Sequence, residues 1–394
     1  MQITPLDKKT VAEWRAKLRP TDASHISAAA ILFTASALAL ALCRIEAVAG
    51  LYLVYAAVFY YMLTHSFASL VIVGIPGVAL FGVSAMAPGL PHPFLMPTVY
   101  AALVLGGLGG SFLLVHCREK KFLPLLALPV AAYALAGAVV GPYLGLLVLI
   151  PAAISLVLAY GMLNCRPQTP VLMLLAAVLA GCAFVTFLVW YALQGWPAAN
   201  PIAYLGQLVR DTMGSVWSTA LEAYAAEGIE VSVSDTGISN LSVMVANILP
   251  GMFLAGCGVL AFVIYRNHLR VLLAWGTLTS VPLRVGALTI SPLAAGLFLL
   301  SYLASAVAGG GLFGTICENL SLVLQPALVL VGVTSLLGRD PRRRSRLSFF
   351  LLIALALLLL NYPTLALSLA AVLGAVRILL AGVFGRREKK DGNE

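Results

Sequence analysis

Apolar runs long enough to cross a bilayer, with few or no charged residues, recur along almost all of this chain, and that recurrence limits the fold more than any motif does. They fall at about 27–43, 48–64, 68–86, 96–116, 123–140, 143–163 and 171–193, and again at about 240–264, 292–308, 318–338, 348–361 and 363–384. A hydrocarbon core takes roughly 20 helical residues to span. In lipid only helices and closed barrels satisfy the backbone, and a barrel strand alternates lipid-facing with lumen-facing residues. Residues 347–360, LSFFLLIALALLLL, do not alternate. The expected fold class is therefore all-α, a polytopic transmembrane helical bundle of about 12 spans. Composition permits little else: 61% of the 394 residues are hydrophobic and 10% are charged, where a soluble domain carries roughly 25% charged residues.

The formal net charge of +9 sits between the apolar runs, where it orients spans and does not signal a nucleic-acid partner. The first 24 residues hold basic and acidic groups and no short apolar core ahead of a cleavage site, so they read as a retained cytoplasmic arm. With that arm inside, the basic residues of the loops and the tail all gather on the cytoplasmic face, leaving Arg44 and Arg210 outside and Arg377 within the last run. Glu46, Asp211, Glu222, Glu227, Glu230, Asp235 and Glu318 then fall outside and make the outer face acidic. Both termini are cytoplasmic in this arrangement, and the chain belongs to the cell's inner membrane. A further span at 271–291 would place the Arg342-Arg343-Arg344 cluster outside, so that stretch reads as interfacial or re-entrant, with Trp275 at headgroup level.

Five regions follow: a cytoplasmic arm (1–26), a bundle of about seven spans (27–193), an external amphipathic helix and loop (194–239), a bundle of about five spans (240–385) and a basic cytoplasmic tail (386–394). In the external region, Leu205, Val209, Met213, Val216, Trp217, Ala220, Leu221 and Tyr224 recur at helical spacing and predict an amphipathic helix of about 20 residues. The following VSVSDTGISN (231–240) alternates, with Asp235-Thr236-Gly237 as a turn and Ser239 or Asn240 placed to cap the next span. Thr64 to Ser66, Gly141-Pro142 and Asn361-Tyr362-Pro363 mark the turns of helical hairpins.

Reactive constellations are missing from the sequence. It has no GxSxG elbow, HExxH, Walker loop or GxGxxG after a strand. The six cysteines lie in or beside apolar runs without CxxC spacing and read as small buried hydrophobes. The five histidines lie near predicted span ends, read as interfacial residues and are too dispersed to hold a metal. Neither cofactor nor metal is implied. Small-xxx-small spacings, at Gly106 and Gly110, at Gly137, Gly141 and Gly145, and at Gly310 and Gly314, suit close helix packing. Gly/Pro breaks in GIPG (74–77), GPYLG (141–145) and ILPGM (248–252) would bend helices around a cavity. Polar groups inside apolar runs are costly unless paired or solvated. Asn247, Glu318, Asn319 and Gln325 are the ligand-pocket candidates, Glu318 and Gln325 sharing a helical face that would line a polar pocket opening outward. Asn361 and Arg377 are polar for local reasons, at a break and as a snorkelling cation.

From about 240 to 386, a little over a third of the chain, short motifs follow one another in a recognisable order. A span containing Asn247-Ile248-Leu249-Pro250 leads to a short basic loop, YRNHLR, then LxxWGxxxxVPLR, then ENLSLVLQPALVLVGVTSLLGR, an Arg-rich loop and a last span with LGAVRILL before a basic tail. This order resembles the YybS-like family of multi-spanning bacterial membrane proteins, which is distantly similar to the substrate-binding S components of energy-coupling-factor vitamin transporters. The resemblance implies small-molecule binding or transport. An acidic residue commonly follows the last-span glycine in that family, where this chain has Arg377 after Gly374. Three function classes stay open. The first is a small-molecule transporter or transporter-associated binding component, embedded in the lipid bilayer and working with a separate ATPase or other membrane subunits. The second is a scaffold that recruits partners. The third is an intramembrane enzyme acting on lipid-linked substrates, with Glu318 and Asp235 as the residues to mutate first.

Overall fold

The computed structural model describes residues 23–86, 90–116, 131, 142–163, 168–195, 197, 200–226, 235–274, 290–308, 311–337 and 346–391. Every regular element among them is a helix: α1 (Ala23–Ala41), α2 (Glu46–Thr64), α3 (Phe67–Met86), α4 (Leu95–His116), α5 (Pro142–Leu163), α6 (Gln168–Leu193), α7 (Pro201–Ala226), α8 (Asp235–Ala274), α9 (Pro292–Ala308), α10 (Leu312–Leu337), α11 (Arg346–Asn361) and α12 (Pro363–Asp391). Eight of these are long and apolar enough to cross a membrane, and three shorter apolar helices cover Leu149–Met162, Pro292–Ala308 and Phe350–Asn361. That is the helix set of a multi-pass membrane protein. The expected span at 123–140, the arm up to residue 22, most of the 271–291 stretch and the Arg-rich loop lie outside the described residues.

Two of the expected hairpin turns form where the sequence places them. α2 ends at Thr64, His65 takes a left-handed conformation (φ 47°) and donates its N–H to the Tyr61 carbonyl, and α3 begins two residues later. Asn361 closes α11, its Nδ2 donating to the Leu357 carbonyl at 2.9 Å, and Pro363 opens α12, where its missing N–H is harmless. At the third, α5 begins at Pro142.

Two local expectations are corrected, and one helix runs past its apolar stretch. The DTG stretch is the first turn of α8, so Ser239 and Asn240 lie inside that helix and not at its N-cap. YRNHLR (265–270) is helical too, because α8 continues to Ala274: Asn267 and His268 are buried and bonded within the fold, which removes the reason for them to leave a helix for water. The basic tail continues α12 as far as Asp391.

The chain forms two compact units, the first made of residues 1–246 and 260–281 and the second of 247–259 and 282–394, so that α8 contributes to both. In the first unit α4 is the central helix, with 83% of its spanning window buried, while only 6% of the α3 window is. Glycine explains the difference. The run GGLGG (106–110) strips α4 of side chains where α1 and α5 meet it; a Cβ on Gly109 would stand 2.7 Å from the Ala29 carbonyl oxygen. Ile26, Ala29, Ala30 and Phe33 of α1 pack on Phe112 and Leu113 of α4 and on Leu272 of α8. Two serines in this core are paired. Ser36 Oγ donates to the Leu32 carbonyl and shares a 2.8 Å hydrogen bond with the Tyr52 hydroxyl, and Ser155 Oγ donates to the Pro151 carbonyl.

The second unit is built on α9, α10 and α12, with Ala295, Phe298, Leu328, Ala371 and Ala375 at its centre. Here α10 and α12 meet backbone to backbone. A Cβ on Gly332 would overlap the Ala370 carbonyl oxygen and one on Gly374 the Leu328 carbonyl oxygen, so neither position admits a side chain.

Candidate functional site

Two of the four ligand-pocket candidates meet at a break in α8. Pro250 lies inside that helix, where its ring removes a backbone donor and crowds the carbonyl four residues back. In an unbroken helix the next donor, the N–H of Gly251, would pair with the Asn247 carbonyl. The Asn319 side chain from α10 engages both groups: its Oδ1 accepts from the Gly251 N–H at 2.5 Å, and its Nδ2 donates to the Asn247 carbonyl at 2.8 Å. Nδ2 also donates to the Thr315 carbonyl one turn back along α10. A carboxamide has one acceptor atom and one donor group, the complement of a peptide unit. Asn319 therefore pairs with this turn of α8 as a peptide unit would.

Close approach is what makes this possible. A Cβ on Gly251 would lie 2.8 Å from Asn319 Cα and 2.9 Å from its carbonyl oxygen, so the crossing requires glycine at 251. The sequence showed the proline, the glycine and both asparagines. It could not show that Asn247 takes part through its main chain while its side chain is exposed.

The other two candidates serve different neighbours. Gln325 Nε2 reaches Ser368 Oγ of α12 at 3.5 Å. Glu318 is half-buried on α10, and its backbone carbonyl accepts from Ser321 Oγ at 2.8 Å. Asn319 thus faces α8 and Gln325 faces α12. Arg377 is exposed, as a snorkelling cation would be.

The first unit carries a second cluster of chemistry. Tyr60 of α2 donates its hydroxyl to Asn267 Oδ1 of α8 at 2.9 Å. One residue on, the fully buried His268 shares a 3.1 Å hydrogen bond between Nδ1 and Ser111 Oγ of α4, and its Nε2 lies 2.9 Å from Met162 Sδ of α5. His92 is buried as well and donates from Nε2 to the Cys43 carbonyl at 2.8 Å. Neither histidine is the interfacial residue that its position near a span end suggested; each is a fixed core contact, joining elements distant in sequence. Among the described residues no three His, Cys, Asp or Glu side chains come together as a metal site. Cys43, Cys257 and Cys317 are buried and Cys182 is half-buried, all as free thiols. At Cys43, in the turn between α1 and α2, burial pushes the thiol pKa up against the smaller lowering effect of Arg44.

Beside this cluster lies a cavity of about 300 Å³ between α2, α3 and α4. Phe81 of α3 and Phe94, just ahead of α4, close one end with their rings 5.4 Å apart, and Leu70, Leu105 and Tyr60 lie toward the other. The room comes from the GIPG stretch of α3. A Cβ on Gly74 would meet nothing within 4 Å, and one on Gly77 would touch only the Tyr100 ring, at 3.9 Å. Tyr100 in turn donates its hydroxyl to the Val73 carbonyl at 3.0 Å, beside the acceptor that Pro76 leaves without its helical partner. The sequence had marked GIPG as a break bordering a cavity. Its walls on α2 and α4 carry no polar signal that would have pointed there.

α7 is amphipathic as expected but longer, with 26 residues. Leu205, Val216, Trp217, Ala220 and Leu221 are half-buried, whereas Arg210, Asp211, Ser215, Ser218 and Glu222 are exposed. Its first turns are anchored by Tyr204, whose ring lies 5.3 Å from Tyr191 and 6.0 Å from Trp190 at the end of α6. No protein-family model, curated protein or solved structure matches the chain.

Proposed function

We propose that the chain is a multi-pass inner-membrane protein of about 12 spans, with both termini cytoplasmic, that transports a small molecule or serves as the substrate-binding component of a transporter. The observation that carries this reading is the proline-interrupted turn of α8 at Pro250–Gly251, whose backbone groups are engaged by the Asn319 carboxamide. Discontinuous helices near the middle of the bilayer are how many transporters present backbone groups to a substrate, and such groups are tolerated there only where protein or a ligand satisfies them. Asn319 holds those groups in reserve, and Glu318 beside it supplies an acceptor. The YybS-like order of motifs over about 240–386 supports the same reading, and a separate ATPase or membrane subunit would supply the energy.

A thermal-shift screen of vitamins and other water-soluble metabolites against the detergent-purified full chain tests it. A ligand at 100 times its Kd stabilises by about 2.7 kcal/mol; the expected result is such a shift with at least one compound, lost in Asn319→Leu. The exposed polar face of α7 favours a second reading, a scaffold that recruits partners. No shift with any compound, together with a co-purifying protein that is lost on deleting residues 205–226, would establish that reading and discard transport.

A further inference from the structure

We infer that the cavity between α2, α3 and α4 is a binding slot for one acyl chain of a bilayer phospholipid, a site in the first unit that stands independently of the transport reading. The lining defines the ligand class. Its two hydroxyl-bearing residues are already committed, Tyr60 to Asn267 Oδ1 and Tyr100 to the Val73 carbonyl, so the wall offers an entering molecule only carbon. A carbon-lined space does not hold water, and left empty it forfeits the contacts of every side chain around it.

Shape narrows the class further. From Leu70 to Phe81 on α3, and from Phe94 to Leu105 on α4, the slot follows eleven residues of near-continuous helix, about 16 Å at 1.5 Å per residue. With a volume of about 300 Å³ it is long and narrow, which suits a linear hydrocarbon and excludes a compact polar solute. The source follows from where it opens. α3 is the least buried of the long helices, and Val78 on the cavity rim is 73% exposed. On a membrane helix that surface faces acyl chains, which are as apolar as the leucines they touch.

The full-length protein in phosphatidylcholine nanodiscs, with a phosphatidylcholine carrying a diazirine in one acyl chain, provides the test. Photolabel mapped by mass spectrometry is expected on Tyr100 and Val104, which line the cavity and are 7% and 1% exposed, beyond the reach of lipid that merely surrounds the protein. Filling the slot by Gly74→Leu, or separately by Gly77→Leu, is expected to cut that label at least about fivefold without lowering the melting temperature, since both sites have room and leucine favours the helix. Label confined to outward residues such as Val307 and Leu360 in the wild-type protein overturns the proposal, and needs no variant to do so. Label on Tyr100 and Val104 from a diazirine fatty acid but not from the phospholipid overturns the assignment to a bilayer lipid.

Discussion

Asn319 does the work of a peptide group, and its removal should show as such. Asn319→Ala strands the Gly251 N–H and the Asn247 carbonyl in apolar surroundings; interhelical hydrogen bonds in membranes are each worth about 0.6–2 kcal/mol, so a loss of about 1–3 kcal/mol is expected by thermal unfolding in detergent. At His65 the cost is conformational. Non-glycine residues at positive φ are unfavourable, histidine less so than most and β-branched residues more so. His65→Val should therefore destabilise by about 1–2 kcal/mol and His65→Gly should be neutral or slightly stabilising, both read from the same melting curves. At Cys43 the raised pKa lowers the thiolate fraction at neutral pH, and the thiolate is the reactive form. Maleimide should label Cys43 at least about tenfold more slowly than the exposed thiol of Arg44→Cys, and faster as pH rises.

Among the elements, α4 and α3 make a controlled pair. Gly109→Leu drives a side chain into the Ala29 backbone and should cost at least about 1–3 kcal/mol, the usual range for overpacking, while Gly74→Ala on α3 enters open space and should cost nothing. Both sequences are apolar and glycine-bearing, and nothing in them ranks one helix as central. The sequence identifies a glycine; what lies across from it depends on pairings between segments far apart in the chain. The same limit explains α8. Its polar ends read as a turn and a loop because periodicity registers only apolar faces, yet Asn267 finds Tyr60 across 207 residues of sequence and helix persists. α7 was legible because its partner is a whole environment and not one residue. Single cysteines at 215, 218 and 222 should react with a water-soluble maleimide, and those at 205, 216 and 220 should not.

For the whole molecule, the elements were legible and their assembly was not. Each of the twelve helices described falls on an apolar run or on the amphipathic stretch, and α7, α8, α10 and α12 differ from theirs chiefly in extent. Burial in lipid forces that agreement, since each span must satisfy its own backbone. The candidate site was half legible: the proline, the glycine and the asparagines at the break are visible in sequence, whereas the division of labour between Asn319 and Gln325 needs the neighbouring helices. Orientation is open to direct measurement. With both termini inside, a cysteine at 215 should be modified by an impermeant reagent on intact spheroplasts, and labelling there only after lysis would invert the topology. One property of the break bears on how such a protein could be driven. A carboxamide has no proton to gain or lose near neutrality and no net charge for a transmembrane voltage to pull, so the grip of Asn319 on α8 is the same on either side of an energised membrane. A movement that begins at Pro250 must be triggered by something that competes for the two backbone groups, and proton-motive force can reach it only through another residue.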